Sequence, residues 1–237
     1  METINNSMPK KYDLLLFDLD ETLLDFGLAE RYAFDALLKE FEIMDDGTLL
    51  SAFSLINHKT WAEMEQKLIT LDQVKVLRFQ RFIEYFSLPF EPRVMAFEYL
   101  RKLSENHTEI PGAMDLIRSL SGNYRLGLVT NGLSEVQKPR LRNSGLELYF
   151  EHIFISEEIK VAKPSHEFFS LVFEKFQNPD KRRAMIVGDS MSSDIKGGID
   201  YGIDTCWFNP DHVPPKFQPT YTISDLSQLA DLLLVKD

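Results

Sequence analysis

The stretch Leu14-Leu15-Leu16-Phe17-Asp18-Leu19-Asp20-Glu21-Thr22 runs from four apolar residues directly into acids. So short an apolar run, closed by polar residues, reads as a strand buried on both faces, the mark of a parallel sheet. In open parallel sheets ligands bind outside the carboxyl ends of the strands. Asp18 and Asp20 therefore fall where such a fold does its chemistry. Two further clusters follow apolar runs in the same way: Thr130-Asn131-Gly132 at the end of Arg125–Thr130, and Gly188-Asp189-Ser190 at the end of Ala184–Gly188, with Asp194 beyond. A fourth piece, Lys163-Pro164, lies in the loop before a helix that Ser165 is placed to cap.

Outward from these segments the chain divides by periodicity. Residues 23–107 carry apolar residues at three- and four-residue spacing, in Ala29–Phe41, Thr48–Leu68, Asp72–Phe86 and Pro92–Asn106, with no strand signal between them. This predicts an all-helical insertion placed over the core as a cap. Residues 1–22 and 108–237 alternate strand and helix, which predicts right-handed βαβ units and a doubly wound parallel α/β sheet. Strands are expected at Arg125–Thr130, His152–Ser156, Ala184–Gly188, Thr205–Phe208 and Tyr221–Ile223, with a last helix capped by Ser224. Pro139 marks either a helix start or a kink.

Composition narrows the function classes. Hydrophobic residues make up 44% of 237, enough for a substantial core. The net charge of −11 repels polyanions and argues against a nucleic-acid polymer as partner. Apolar runs such as Leu14–Phe17 and Leu232–Val235 are far too short to span a bilayer, and residues 1–11 hold no signal-peptide core. The expectation is a cytoplasmic protein with no membrane partner, its oligomeric state open. The one cysteine, Cys206, reads as a small core residue, and the five histidines have no metal-ligand spacing.

The residue types of the four clusters suit phosphoryl chemistry. Magnesium takes oxygen ligands, which Asp18, Asp189 and the backbone carbonyl of Asp20 would supply. With that charge and Lys163 beside it, Asp18 could attack phosphorus as a nucleophile. Asp20 would protonate the leaving oxygen and later activate water. Thr130, Asn131 and Lys163 would hold the phosphoryl oxygens, and Asp194 would stand behind the metal ligands. Singly each piece is ordinary: Asp-x-Asp at a strand end, Thr-Asn-Gly as a turn, Asp194 as an acid in a first helical turn. Their joint occurrence, in this order and strand context, is what carries the reading.

As a set, Phe17-Asp18-Leu19-Asp20-Glu21-Thr22-Leu23, Val129-Thr130-Asn131-Gly132, Lys163-Pro164 and Gly188-Asp189-Ser190 with Asp194 resembles the four motifs of the haloacid dehalogenase superfamily. The insertion after the first motif resembles its type-one cap. Dehalogenases of that superfamily typically lack an acid at the position of Asp20, so the resemblance implies a magnesium-dependent phosphatase acting on a small phosphate ester. Thr22-Leu23-Leu24-Asp25-Phe26 with Ala29-Glu30, and Asp189 through Gly198, are similar to the bacterial pyrimidine 5′-nucleotidases; His166 departs from that pattern. Phe26, Phe53 and Trp61 are aromatic residues of the insertion that either stack on a base or fill its core. The rival readings are a sugar-phosphate phosphatase or phosphomutase on the same scaffold, and a non-catalytic binding module, against which the intact set of Asp18, Asp20, Lys163 and Asp189 speaks.

Overall fold

A computed structural model describes residues 11–66 and 68–234, so the polar residues 1–10 and Val235 lie outside the described residues. Six strands form one parallel sheet: β1 (Leu14–Phe17), β2 (Arg125–Thr130), β3 (His152–Ile155), β4 (Ala184–Gly188), β5 (Asp204–Phe208) and β6 (Tyr221–Ile223). Their order is β3-β2-β1-β4-β5-β6, with every pairing parallel. The chain winds outward in opposite directions from β1 and β4, which makes the gap between them the topological switch point. Leu14 pairs with Arg125 on one side and Ala184 on the other, so β1 is central and covered on both faces.

The alternation of β1 side chains sorts them into two cores. Leu15 and Phe17 join Leu116, Ile117 and Leu120 of helix α5 (Ala113–Ser121). Leu14 and Leu16 join Phe168, Phe169, Val172 and Phe173 on the opposite face. Each such side chain contributes about 1.5–3 kcal/mol on burial. The helices that follow in the chain are α6 (Ser134–Ser144), α7 (Ser156–Ile159), α8 (His166–Lys175), α9 (Lys196–Tyr201) and α10 (Ser227–Leu234). Pro139 lies inside α6 and not in its first turn, so of the two readings of that proline the helix start is ruled out. Ser165 caps α8, its hydroxyl accepting from the Glu167 N–H at 3.2 Å. At α10 the capping hydroxyl is not that of Ser224; the Asp225 carboxylate accepts from the Ser227 N–H at 2.8 Å.

Among the described residues the chain forms two compact units, one of residues 11–25, 109–134 and 141–234, the other within 26–108 with 135–140. The second holds α1 (Phe26–Glu40), α2 (Leu49–Glu65), α3 (Leu71–Phe86) and α4 (Pro92–Glu105), with no strand among its described residues. Helix α3 opens on a capping box, Thr70 and Gln73 each accepting from the other's backbone N–H at 3.2 and 2.7 Å. Phe34, Phe53, Phe79, Phe82 and Tyr99 meet in the middle of this unit, Phe34 stacking on Phe53 with ring centroids 4.7 Å apart. Phe53 is thus core, while Phe26 and Trp61 are half-buried.

Candidate active site

The switch point gathers the separated motifs. Asp18 follows β1, its backbone N–H donating to Val187 O of β4 at 2.9 Å, so the sheet ladder itself sets where its carboxylate lies. The carboxylates of Asp18, Asp189 and Asp194 lie within 4.8 Å of one another. Lys163, sealed from water, reaches into this group. Its ammonium donates to Asp18 Oδ1 at 2.5 Å, Asp194 Oδ1 at 2.6 Å and Val129 O at 2.8 Å. An ammonium has three N–H donors, and all are used.

Asn131 fixes this lysine from behind. Its side-chain amide donates to Lys163 O and its Oδ1 accepts from Lys163 N–H, both at 2.9 Å. The sequence assigns Asn131 to a phosphoryl oxygen; here its amide oxygen and one amide N–H are spent on the Lys163 backbone. Thr130 is buried, its hydroxyl accepting from the Gly132 N–H at 3.1 Å, which closes the turn after β2. The Lys163–Pro164 peptide is cis.

Asp194 is more than an acid in a first helical turn. Met191–Ile195 forms a π-helical turn, a form found often at functional sites. It carries the Asp194 carboxylate back into the interior, where Oδ1 meets Lys163 and Oδ2 accepts from Ser190 N–H at 3.1 Å. Gly188 makes room for it: a Cβ there would lie 2.3 Å from Asp194 Oδ2. Asp20, just beyond the strand, is half-buried, and its charge adds to those acting on Asp18.

Two residues bonded to Asp189 were given no part in the site by the sequence reading. Thr22, fully buried, donates to Asp189 Oδ1 at 3.2 Å and accepts from Asp189 N–H at 3.1 Å. It stands in the first motif, so a signal existed. Trp207 donates its indole N–H to Asp189 O at 2.8 Å, a contact across the sheet that no local pattern announces.

Charge decides what the cluster fits. Burial pushes Asp18 up to about 7 despite the Lys163 ammonium, with Asp194 and Asp20 adding to the rise. Burial, with Asp18 and Asp194, likewise raises Asp189 well above the usual carboxylate range. Burial opposes the charge on Lys163, yet Asp18 and Asp194 together raise it above an ordinary lysine. Two buried carboxylates and the half-buried Asp189 surround one ammonium, and the deficit of positive charge suits a divalent cation with oxygen ligands.

The sequence profile of the haloacid dehalogenase-like hydrolases matches residues 15–208. The chain belongs to this family. It is 38% identical over 230 residues to the HAD-hydrolase YfnB of Bacillus subtilis, covering 96% of this chain and 98% of YfnB. It is 36% identical over 230 residues to the pyrimidine 5′-nucleotidase YjjG of Escherichia coli, covering 94% of this chain and 98% of that one. The orthorhombic crystal form of YfnB, bound to magnesium, superposes with a TM-score of 0.90 over 95% of this chain and 100% of YfnB, and reveals interdomain movement in that protein. A 2-haloacid dehalogenase of Pseudomonas syringae, 24% identical, shares the fold with a TM-score of 0.68 over 94% of this chain and 98% of its own. No helix among the described residues is long and apolar enough to cross a membrane.

Proposed function

We propose that this hydrolase is a magnesium-dependent phosphomonoesterase with nucleoside 5′-monophosphates as substrates, pyrimidine ones first. The observation that carries the phosphatase part is Asp18 just past the carboxyl end of a central strand, hydrogen-bonded to a buried lysine and followed by Asp20. Asp18, Asp189 and the backbone carbonyl of Asp20 would hold the metal. Magnesium bound there supplies the positive charge that keeps the carboxylates ionised and screens the incoming phosphate.

The chain's own residues then divide the reaction. An oxygen of Asp18 attacks phosphorus, and the bond from phosphorus to the leaving oxygen breaks as the carboxyl of Asp20 gives that oxygen its proton. Water next attacks the phosphoryl group on Asp18, yielding its proton to Asp20. The bond from phosphorus to the Asp18 oxygen breaks, and inorganic phosphate departs. Lys163 steadies Asp18 and the charge that develops during transfer, with Asn131 holding the lysine's backbone in place. Asp20 sets phosphatase apart from dehalogenase chemistry, which has no leaving oxygen to protonate.

The nucleotide preference is supported by the 36% identity to the pyrimidine 5′-nucleotidases YjjG and PynA (the latter of Streptococcus pneumoniae), each matched over 94% of this chain. The test compares kcat/KM for uridine, thymidine and purine 5′-monophosphates with that for hexose phosphates, with magnesium present. Pyrimidine nucleotides are expected to lead. A hexose phosphate favoured by about tenfold, 1.4 kcal/mol of transition-state discrimination, would overturn the nucleotidase reading and leave the phosphatase reading standing.

A further inference from the structure

The geometry points to Trp207 as the positioning residue that sets Asp189 for metal binding. This rests on the reading of Asp189 as a metal ligand and goes beyond it, because Trp207 touches neither substrate nor metal in that reading.

Asp189 opens the loop after β4, where a backbone leaving a strand has lost its ladder partners. Three of its atoms are nevertheless held. Thr22 takes the backbone N–H and one carboxylate oxygen, and the Trp207 indole takes the backbone carbonyl at 2.8 Å. Without Trp207 the Thr22 hydroxyl is a single pivot, about which the carbonyl end of Asp189 could turn. With it, the residue is fixed from both sides of β4.

The indole is itself well founded. Trp207 lies opposite Gly188 in the β4–β5 register, one residue before Asp189, and it is almost fully buried. Reciprocal bonds between Thr205 and Thr220, N–H to hydroxyl at 3.1 and 3.0 Å, tie β5 to the approach to β6. Just past β5 the Asn209 side chain accepts from Val213 N–H and donates to Val213 O, both at 3.0 Å. A buried indole has one donor and no acceptor. Here that donor goes to the carbonyl of a carboxylate residue in the charged cluster. A core tryptophan with no such task would need only some acceptor; this one closes the third point of a clamp.

Magnesium tolerates little departure from octahedral geometry, and loss of partners that orient metal ligands typically costs 10–100-fold in metal affinity. The experiment titrates magnesium by calorimetry into full-length wild type, Trp207→Phe, and a protein carrying benzothienylalanine at 207, which keeps the ring volume and replaces only the N–H. Melting temperatures in chelator are recorded alongside. The expected result is magnesium binding weakened about tenfold or more in both variants. The isostere should melt within a few degrees of wild type, and kcat should recover at saturating magnesium. Equal magnesium affinity, within twofold, in wild type and the isostere overturns the role of Trp207 while leaving Asp189 a ligand. Absence of magnesium binding in the wild type overturns both.

Discussion

Lys163 and Arg78 are both cations sealed from water, at 3% and 1% exposure, one in each unit of the chain. Lys163 spends every donor, two of them on carboxylates. Arg78 spends Nη1 on Asn57 Oδ1 at 3.1 Å, while Nε and Nη2 find no hydrogen-bond partner among the described residues. The carboxylate nearest in kind, Glu30, is taken up by Asn57 and Ser54, each at 2.7 Å. What Arg78 has instead is the faces of Tyr99 and Phe79, 4.8 and 5.6 Å from its guanidinium carbon. Burial accordingly presses the Arg78 pKa down, whereas the carboxylates raise that of Lys163. The difference teaches where ionic burial serves a purpose. At the strand ends the charges bond directly to one another; in the helical unit a cation sits among rings, and Asn57 stands between it and Glu30.

The largest test strikes the group that the lysine serves. Asp18→Asn should remove turnover, by at least about 10⁴-fold, since an amide cannot act as nucleophile. The fold should survive, and metal-free stability should hold or rise, because one of three crowded acids is gone. Phosphate release and a thermal melt on a pure, non-deamidated sample decide this; wild-type turnover would sink the nucleophile assignment.

Next comes the cation itself. Lys163→Met leaves Asp18 and Asp194 buried without their ammonium and should cost about 3–5 kcal/mol, a drop of about 6–20 °C in Tm for a chain of this size. Urea unfolding in chelator measures it. A loss below about 1 kcal/mol would mean that the carboxylates do not depend on the lysine.

The pH dependence sharpens the contrast, because the cluster around Lys163 holds a carboxylate raised into the accessible range. Asp18 has a folded pKa of about 7 against an ordinary 3.8, so the folded state binds that proton more tightly. Its contribution to metal-free stability is full below about 3.8 and is lost as pH rises through about 7. Magnesium competes with that proton, so the rise in Tm on adding it should grow from pH 5 to pH 8. A magnesium increment independent of pH would break the account.

The smallest effect is expected where the donors are unspent. Arg78→Met, a volume-conserving change that removes the buried charge, should alter stability by less than about 1 kcal/mol in either direction. The loss of the Asn57 bond and ring contacts would offset the relief of burial. A cost equal to that of Lys163→Met would show that the two cations are alike after all.

Short apolar runs ending in acids, glycine or threonine were enough to predict the parallel sheet and the strands that lead to Asp18, Thr130 and Asp189, since strand burial is written locally. The gathering of Asp18, Lys163 and Asp189 in one place was legible too, because the motifs stand in one order along the alternating strands and helices. Tertiary structure alone decided the rest. It turned the Asn131 amide onto a backbone 32 residues away, brought Asp194 inward through a π turn over a glycine, and set Thr22 and Trp207 on opposite sides of Asp189. It also settled Phe53 as core and left Arg78 with unspent donors. The physical reason is common to all of these. A residue's type and its neighbours in sequence determine which bonds it can make, but which of its donors and acceptors are satisfied depends on groups that only the packed sheet and helices bring within 3 Å.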